Sequence, residues 1–375
     1  MDEGIALYIH IPFCVSKCSY CNFCSFVPHG DQVNRYIAAL QKEIELVSKT
    51  VSKKIFSVYV GGGTPSILPS GSLLKIFNSL HDNFDFARDA SVTIEANPNS
   101  FSIEKAKEFV VCGCNRVSFG LQSADSEVLK VLNRAHTYTD CVNAVNYANR
   151  CGITDINIDL MLGVPKQDKR VLLDTLQKVV SLPITHISAY GLIVEDGTLL
   201  STQISQKKFV VDEDKTADMY DYTVDFLARN GFIRYEISNF AKPGFESVHN
   251  QNYWDCGEFL GLGLNAYSFL NGTHFRNTSD FELYCNNLES GIVEYVDKEY
   301  QTTSTKQEEM IMLALRTTKG LDIEKFNREF GEYFEKKYAR QLKKLKDLDL
   351  ITIENGFLKI KNLYVSNWII TEFFE

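Results

Sequence analysis

The stretch His10-Ile-Pro-Phe-Cys14-Val-Ser-Lys-Cys18-Ser-Tyr-Cys21 decides how this chain is read. Its C-x3-C-x2-C spacing offers three thiolates to one metal centre within a short loop. An all-cysteine [4Fe–4S] site uses four such ligands, so three leave one iron without a protein ligand. An open coordination position is what separates a reactive metal site from a closed structural one, as zinc sites illustrate. Half a zinc ribbon is the weaker reading, because the second C-x2-C or paired histidines are missing. Cys112 and Cys114 are one residue apart and far downstream, which makes them poor partners. Disulfides are weaker still in a chain with no secretory signal and a large apolar inventory. Cys24 extends the run to C-x3-C-x2-C-x2-C. It could close the fourth iron or stand as a free thiol. The second reading is favoured, since a fourth thiolate would fill the open position.

Composition narrows the class. At 375 residues the chain suits one large domain of barrel size plus a smaller one. Its 45% hydrophobic and 12% aromatic content fits a globular protein with a sizeable core. A net charge of −9 without a Lys/Arg run argues against bulk electrostatic binding of nucleic acid. No apolar stretch approaches the ~20 residues that span a bilayer, which leaves peripheral membrane contact open. Ten cysteines and no leader sequence predict a reducing, cytoplasmic setting.

The first two-thirds alternate short apolar runs with amphipathic stretches, the pattern of β/α units around a parallel sheet. Strands are predicted at Ile5–Ile11, Phe56–Val60, Ser91–Ala96, Arg116–Leu121, Asp155–Met161 and His186–Ile193. Gln32–Ser48 reads as a helix, with Ile37, Leu40, Ile44 and Val47 on one face. Six such strands predict an α/β fold, a partial (β/α)6 barrel over residues 1–240, with its site just after the strands. Residues 241–304 form a Gly-, Asn- and aromatic-rich connecting region that resists assignment. From 305 to 375 a small winged-helix-like α+β domain is predicted. It has helices near Lys306–Arg316, Ile323–Phe330 and Tyr333–Leu348, a hairpin over Ile351–Ile360 and a last helix over Leu363–Phe374. Asn355-Gly356 suits a type I′ turn. The final helix carries Glu372 and Glu375 rather than a basic face, so this domain reads as structural or partner-facing.

Further motifs accompany the cysteines. Gly61-Gly62-Gly63-Thr64-Pro65-Ser66 directly follows a predicted strand, where glycine lets the backbone approach a ligand closely. Tyr8-Ile-His10-Ile-Pro12-Phe-Cys14, Gly62-Gly63-Thr64-Pro65, Ile94-Glu95-Ala-Asn-Pro98, Phe119-Gly-Leu-Gln122-Ser, Leu132-Asn-Arg134-Ala-His136 and Asn157-Ile-Asp159-Leu160 follow in order. Together they resemble the successive motifs of one branch of the radical-SAM family. That branch holds oxygen-independent coproporphyrinogen III dehydrogenase and a related heme chaperone, and the resemblance covers nearly the whole chain. It implies a radical-SAM barrel whose [4Fe–4S] cluster is ligated by Cys14, Cys18 and Cys21, with S-adenosylmethionine (SAM) chelated at the open iron. In that family an electron from the cluster cleaves the sulfonium to a 5′-deoxyadenosyl radical. By motif, Tyr8 and Tyr20 would lie near SAM, and Gly62, Gly63 and Thr64 would hold its methionyl end. Glu95, Gln122, Arg134 and Asp159 would reach ribose, carboxylate or neighbouring polar atoms. Carboxylates accept ribose hydroxyls, and arginine pairs bidentately with a carboxylate. Taken singly, Glu95 could instead cap the following helix and Arg134 could form a surface ion pair.

Two features bear on the branch. The dehydrogenase pattern is C-x3-C-x2-C-x-C, whereas Phe23 stands at the last position here and the extra cysteine is Cys24. The chain also starts seven residues before Tyr8, without the N-terminal extension the dehydrogenase uses over its substrate. The second feature is His249-Asn-Gln-Asn-Tyr253-Trp254, preceded by Tyr235-Glu236-Ile-Ser238-Asn239-Phe240. H-N-x-x-Y-W looks like the motif associated with heme in the chaperone. An imidazole can ligate heme iron axially, and Tyr253 and Trp254 offer flat surfaces to a porphyrin. Cys256 is a competing axial ligand, and a lone histidine beside aromatics is often a hydrogen-bonded structural residue. The expectation is a heme chaperone that passes heme to an acceptor protein, with a flavodoxin or ferredoxin as electron donor. Radical-SAM decarboxylation of coproporphyrinogen III is the alternative.

Overall fold

The computed structural model describes residues 4–374. Strands β1 (Ile5–Ile11), β2 (Ile55–Gly62), β3 (Phe86–Ala96), β4 (Arg116–Gln122), β5 (Asp155–Leu162) and β6 (His186–Gly191) lie in chain order, each parallel to the next. Ile5, Leu7, Ile9 and Ile11 of β1 are fully buried in one core with Leu40 and Ile44 of the Gln32–Ser48 helix. The same core takes Ile76 and Leu80 of the next helix and Ala144 and Leu176 further along. This apolar face is what the period-2 pattern in the strands and the 3.6-residue pattern in the helices encode.

The opposite face is polar. A parallel strand buried on both sides is ordinarily apolar throughout; here every second residue is not. Register places Tyr8 beside Tyr59 and His10 beside Gly61. Glu95, Ser118, Asn157 and His186 form one row across β3 to β6. Gly120, Asp159 and Ser188 form the next. The curved sheet therefore lines its inner side with hydrogen-bonding groups.

The segment that resists assignment from sequence extends this same sheet. Beyond β6 lie two short antiparallel strands, β7 (Ile233–Arg234) and β8 (Asn239–Ala241), in the order β6-β8-β7. On the other side, β9 (Phe259–Leu262) pairs in parallel with β1. Antiparallel β10 (Tyr267–Leu270), β11 (Thr273–Asn277) and β12 (Tyr295–Tyr300) then complete a twelve-stranded sheet among the described residues. β1 thus sits between β2 and β9.

Residues after 303 have a core of their own, built on Phe326, Phe334, Leu345, Leu358 and Phe373. Its small sheet joins β13 (Leu321–Asp322), β14 (Ile351–Glu354) and β15 (Phe357–Ile360) in the order β13-β15-β14. Asn355 and Gly356 have φ of 52° and 83°, as a type I′ turn requires. The charged helix predicted over Tyr333–Leu348 is two, Phe334–Lys337 and Ala339–Asp347, because Tyr338 leaves helical geometry to pack on Phe334 and Phe373. The last predicted helix shortens to a 3-10 turn, Leu363–Val365, and Ser366–Thr371.

Candidate active site

Cys14, Cys18 and Cys21 line one cavity of about 410 Å³ at the C-terminal ends of the parallel strands. Tyr20, Gly62, Gly63, Thr64, Glu95, Gln122, Arg134 and Asp159 line it with them. They come from β3 and β5 and from the segments that close or follow β1, β2 and β4, the arrangement that lets a barrel assemble a site from distant sequence. Tyr8 does not reach the wall. Its ring lies alongside Tyr59, 6.4 Å between centroids, and its hydroxyl meets His10 Nδ1 at 3.0 Å.

The glycines are explained by what surrounds them. A Cβ on Gly61 would fall 2.9 Å from the Glu95 carboxyl, and one on Gly62 (φ 107°) 2.5 Å from the His10 ring. On Gly63 it would strike the Phe13 carbonyl oxygen at 2.5 Å. The glycine turn and the cysteine loop are in close contact, with Gly63 N–H donating to Ile11 O and Thr64 N–H to Phe13 O. Thr64 Oγ1 also donates to Cys14 Sγ at 3.8 Å. His10 Nε2 reaches Cys24 O at 2.8 Å and pins the far end of the loop.

Glu95 accepts from Tyr59 O–H at 2.8 Å and from Gly62 N–H at 3.2 Å. Burial, reinforced by the Asp159 charge, pushes its carboxyl up to about 7. Asp159 accepts from Asn157 Nδ2 at 2.8 Å and Ser118 O–H at 3.2 Å, and burial raises it too. Arg134 donates to the Tyr20 hydroxyl at 2.9 Å, while its Nε is buried without a partner. Asn97, also on the wall, has a buried and unpaired Oδ1. An orphaned donor and an orphaned acceptor on residues of the wall shared with three thiols suit a ligand with both a carboxylate and an ammonium group. Burial raises the Cys14 and Cys18 thiols. Among the described residues no group of three or more His, Cys, Asp or Glu side chains is arranged around a single ion; a cubane instead distributes its cysteines over separate irons.

Cys24 is on the other side of the loop. It lines a separate recess of about 430 Å³ with Phe23, Phe26, Phe281 and Lys17, and packs against the main core. His249, Tyr253 and Trp254 lie on the Val248–Trp254 helix and do not line the thiol cavity. His249 is 2% exposed, and both its ring nitrogens are engaged: Nδ1 with Ser57 Oγ and Nε2 with the Tyr253 hydroxyl, each at 2.9 Å. Burial pushes it down to about 3, so the imidazole is neutral. Trp254 Nε1 is buried without a partner beside a 50 Å³ recess shared with Cys256 and Met310. Burial pushes the Cys256 thiol up to about 12.

Sequence motifs miss Tyr59, Ser118, Met161 and Tyr190, which also line the cavity, and they contain Asn97 without giving it a role. The signal available for the strand residues is the polar residue at every second position of strands otherwise buried.

A thiol-bearing loop after the first strand of an incomplete parallel barrel, opening on a polar cavity, defines a radical-SAM protein. Residues 8–179 match the Radical SAM superfamily and residues 304–362 the HemN C-terminal domain. The fold is that of coproporphyrinogen III oxidase (HemN) from Escherichia coli, with a TM-score of 0.88 at 23% identity over 99% of this chain and 90% of that one. The heme chaperone HemW of Lactococcus lactis is 34% identical over 349 residues, 92% of this chain and 90% of the relative. HemW of Escherichia coli is 33% identical over 282 residues, 73% of each. The chain belongs to the HemW family.

Proposed function

We propose that this protein is a heme chaperone that takes up heme and hands it to an acceptor protein, with a [4Fe–4S] cluster on Cys14, Cys18 and Cys21 and SAM at the open iron. Its relatives named heme chaperone support the first part. The second rests on one observation: three thiols share a cavity with the unpaired Arg134 Nε. Arg134 and Gln122 are suited to the methionyl carboxylate, Glu95 and Asp159 to hydroxyl and ammonium groups, and Tyr20 to orienting Arg134. Gly62, Gly63 and Thr64 bring backbone to the ligand's edge. When bound, cluster and SAM together supply one-electron cleavage of the sulfonium, for which a flavodoxin or ferredoxin would be the donor. Tyr253 and Trp254 are the proposed porphyrin contacts. Axial ligation by His249 requires the ring to release Ser57 or Tyr253, and Cys256 is the competing ligand.

Anaerobic reconstitution should give the broad visible absorption of a [4Fe–4S] cluster in the wild type and in Cys24→Ala, and not in Cys21→Ala. Tight zinc without iron would overturn the cluster assignment. Hemin titration should produce a Soret shift that weakens in His249→Ala, and an unchanged titration removes His249 from the heme site. Conversion of coproporphyrinogen III to protoporphyrinogen IX with SAM and a reductant would overturn the chaperone reading in favour of the dehydrogenase.

A further inference from the structure

The Val248–Trp254 helix lies near the N-terminal ends of the strands, away from the cysteine loop, and yet it is connected to both carboxylates of the cavity. His249 bonds Ser57 of β2 and lies against the ring of Tyr59, two residues along the same strand, at 5.2 Å between centroids and 31° between planes. Tyr59 in turn donates to Glu95. A second path starts at the helix N-cap, where Ser247 N–H donates to the Tyr235 hydroxyl at 3.2 Å. That hydroxyl meets His186 Nε2 at 2.8 Å, and His186 Nδ1 meets Asn157 Oδ1 at 2.6 Å. Asn157 Nδ2 donates to Asp159. Neither path contains an exposed side chain that water could replace at no cost: Ser57, His186, Asn157, Ser247 and His249 are all buried.

Resting on the SAM reading above, we propose that His249 is a positioning residue of the SAM cavity: without touching SAM, it fixes Tyr59 and thereby the Glu95 carboxylate. Because a neutral imidazole has one donor and one acceptor nitrogen, the hydroxyls of Ser57 and Tyr253 complement it in either tautomer. The ring then cannot turn without breaking a buried bond, and a buried polar group left unpaired is costly. That rigidity is what a support for an oriented carboxylate needs.

The test is calorimetric titration of SAM into the reconstituted protein, with iron content and thermal midpoint recorded for each variant. His249→Ala and Tyr59→Phe should each weaken SAM binding on the order of tenfold, the equivalent of one oriented hydrogen bond, with iron content unchanged. The double variant should bind no more weakly than the weaker single one, because both remove the same support. His249→Gln, which keeps bulk and hydrogen-bonding capacity, should recover part of the loss and stands in if the alanine variant does not fold. Unaltered SAM affinity with a lowered midpoint, or losses that multiply in the double variant, would overturn the positioning role alone. A wild-type protein that carries the cluster and binds no SAM would overturn both this role and the SAM reading.

Discussion

Glu95 shows what one buried carboxylate does to both stability and site. An ordinary glutamate titrates near 4.5, whereas burial and the Asp159 charge push Glu95 up to about 7 against the pull of Tyr59 and Gly62. Folding therefore favours its protonated form. That contribution is fully present below about pH 4.5 and is lost as pH rises through about 7. In Glu95→Gln the thermal midpoint of the cluster-free protein should fall less steeply than in the wild type across that window. Identical slopes would show that Glu95 does not titrate there. Glu236, also pushed to about 7 by burial, leaves a residual slope in both proteins. At this scale the sequence reads unevenly. Cys14, Cys18 and Cys21 stand in a spacing that is itself informative, whereas Glu95 and Arg134 are reached only through the family resemblance. Tyr59 is one aromatic in a strand, and the partners that give it a role, Glu95 and His249, are far from it in the chain.

Gly62 and Gly63 make the same point for elements. Their turn follows β2, and the atoms that forbid a side chain belong to β1 and the cysteine loop. Gly63→Ala should destabilise the protein by about 1–3 kcal/mol, the usual range for overpacking. Gly191→Ala is the control: neither glycine has a positive φ, and a Cβ on Gly191 meets only the Thr216 methyl at 3.6 Å, an ordinary contact. Equal shifts of the urea midpoint in the two variants would refute close packing as the reason for Gly63. The strands β1 to β6 are legible because apolar residues recur on their outer face, and the 355–356 turn because Asn-Gly tolerates positive φ. β9 to β12 are not, being only four to six residues each. The break at Tyr338 carries no Pro or Gly, and its ring packs against Phe334 and Phe373.

For the whole molecule, the last third of the chain is tied to the first strand and helix. Glu43, fully buried on the Gln32–Ser48 helix, accepts from Gly263 N–H at 2.8 Å, Asn277 Nδ2 at 2.6 Å and the Tyr284 hydroxyl at 2.6 Å. Tyr36 donates to His10 O at 2.5 Å and accepts from Leu264 N–H at 3.1 Å. Strands from the last third of the chain are thereby bound to the first strand. A chain ended at residue 240 would bare the hydrogen-bonding edge of β1 and leave Glu43 without its donors. It should self-associate in size-exclusion chromatography, while one ended at residue 304, which keeps all twelve strands, should remain monodisperse. A monodisperse 240-residue form would contradict this.

The position of β1 between β2 and β9 also carries a meaning in time. A ribosome releases the cysteine loop early and β9 only after most of the chain has been made. Until then the strand that launches the loop is paired on one side, and the carbonyl of His10 lacks the Tyr36–Leu264 clasp that completes its surroundings. The surroundings of the loop proposed to carry the cluster are therefore complete only once β9 has joined β1.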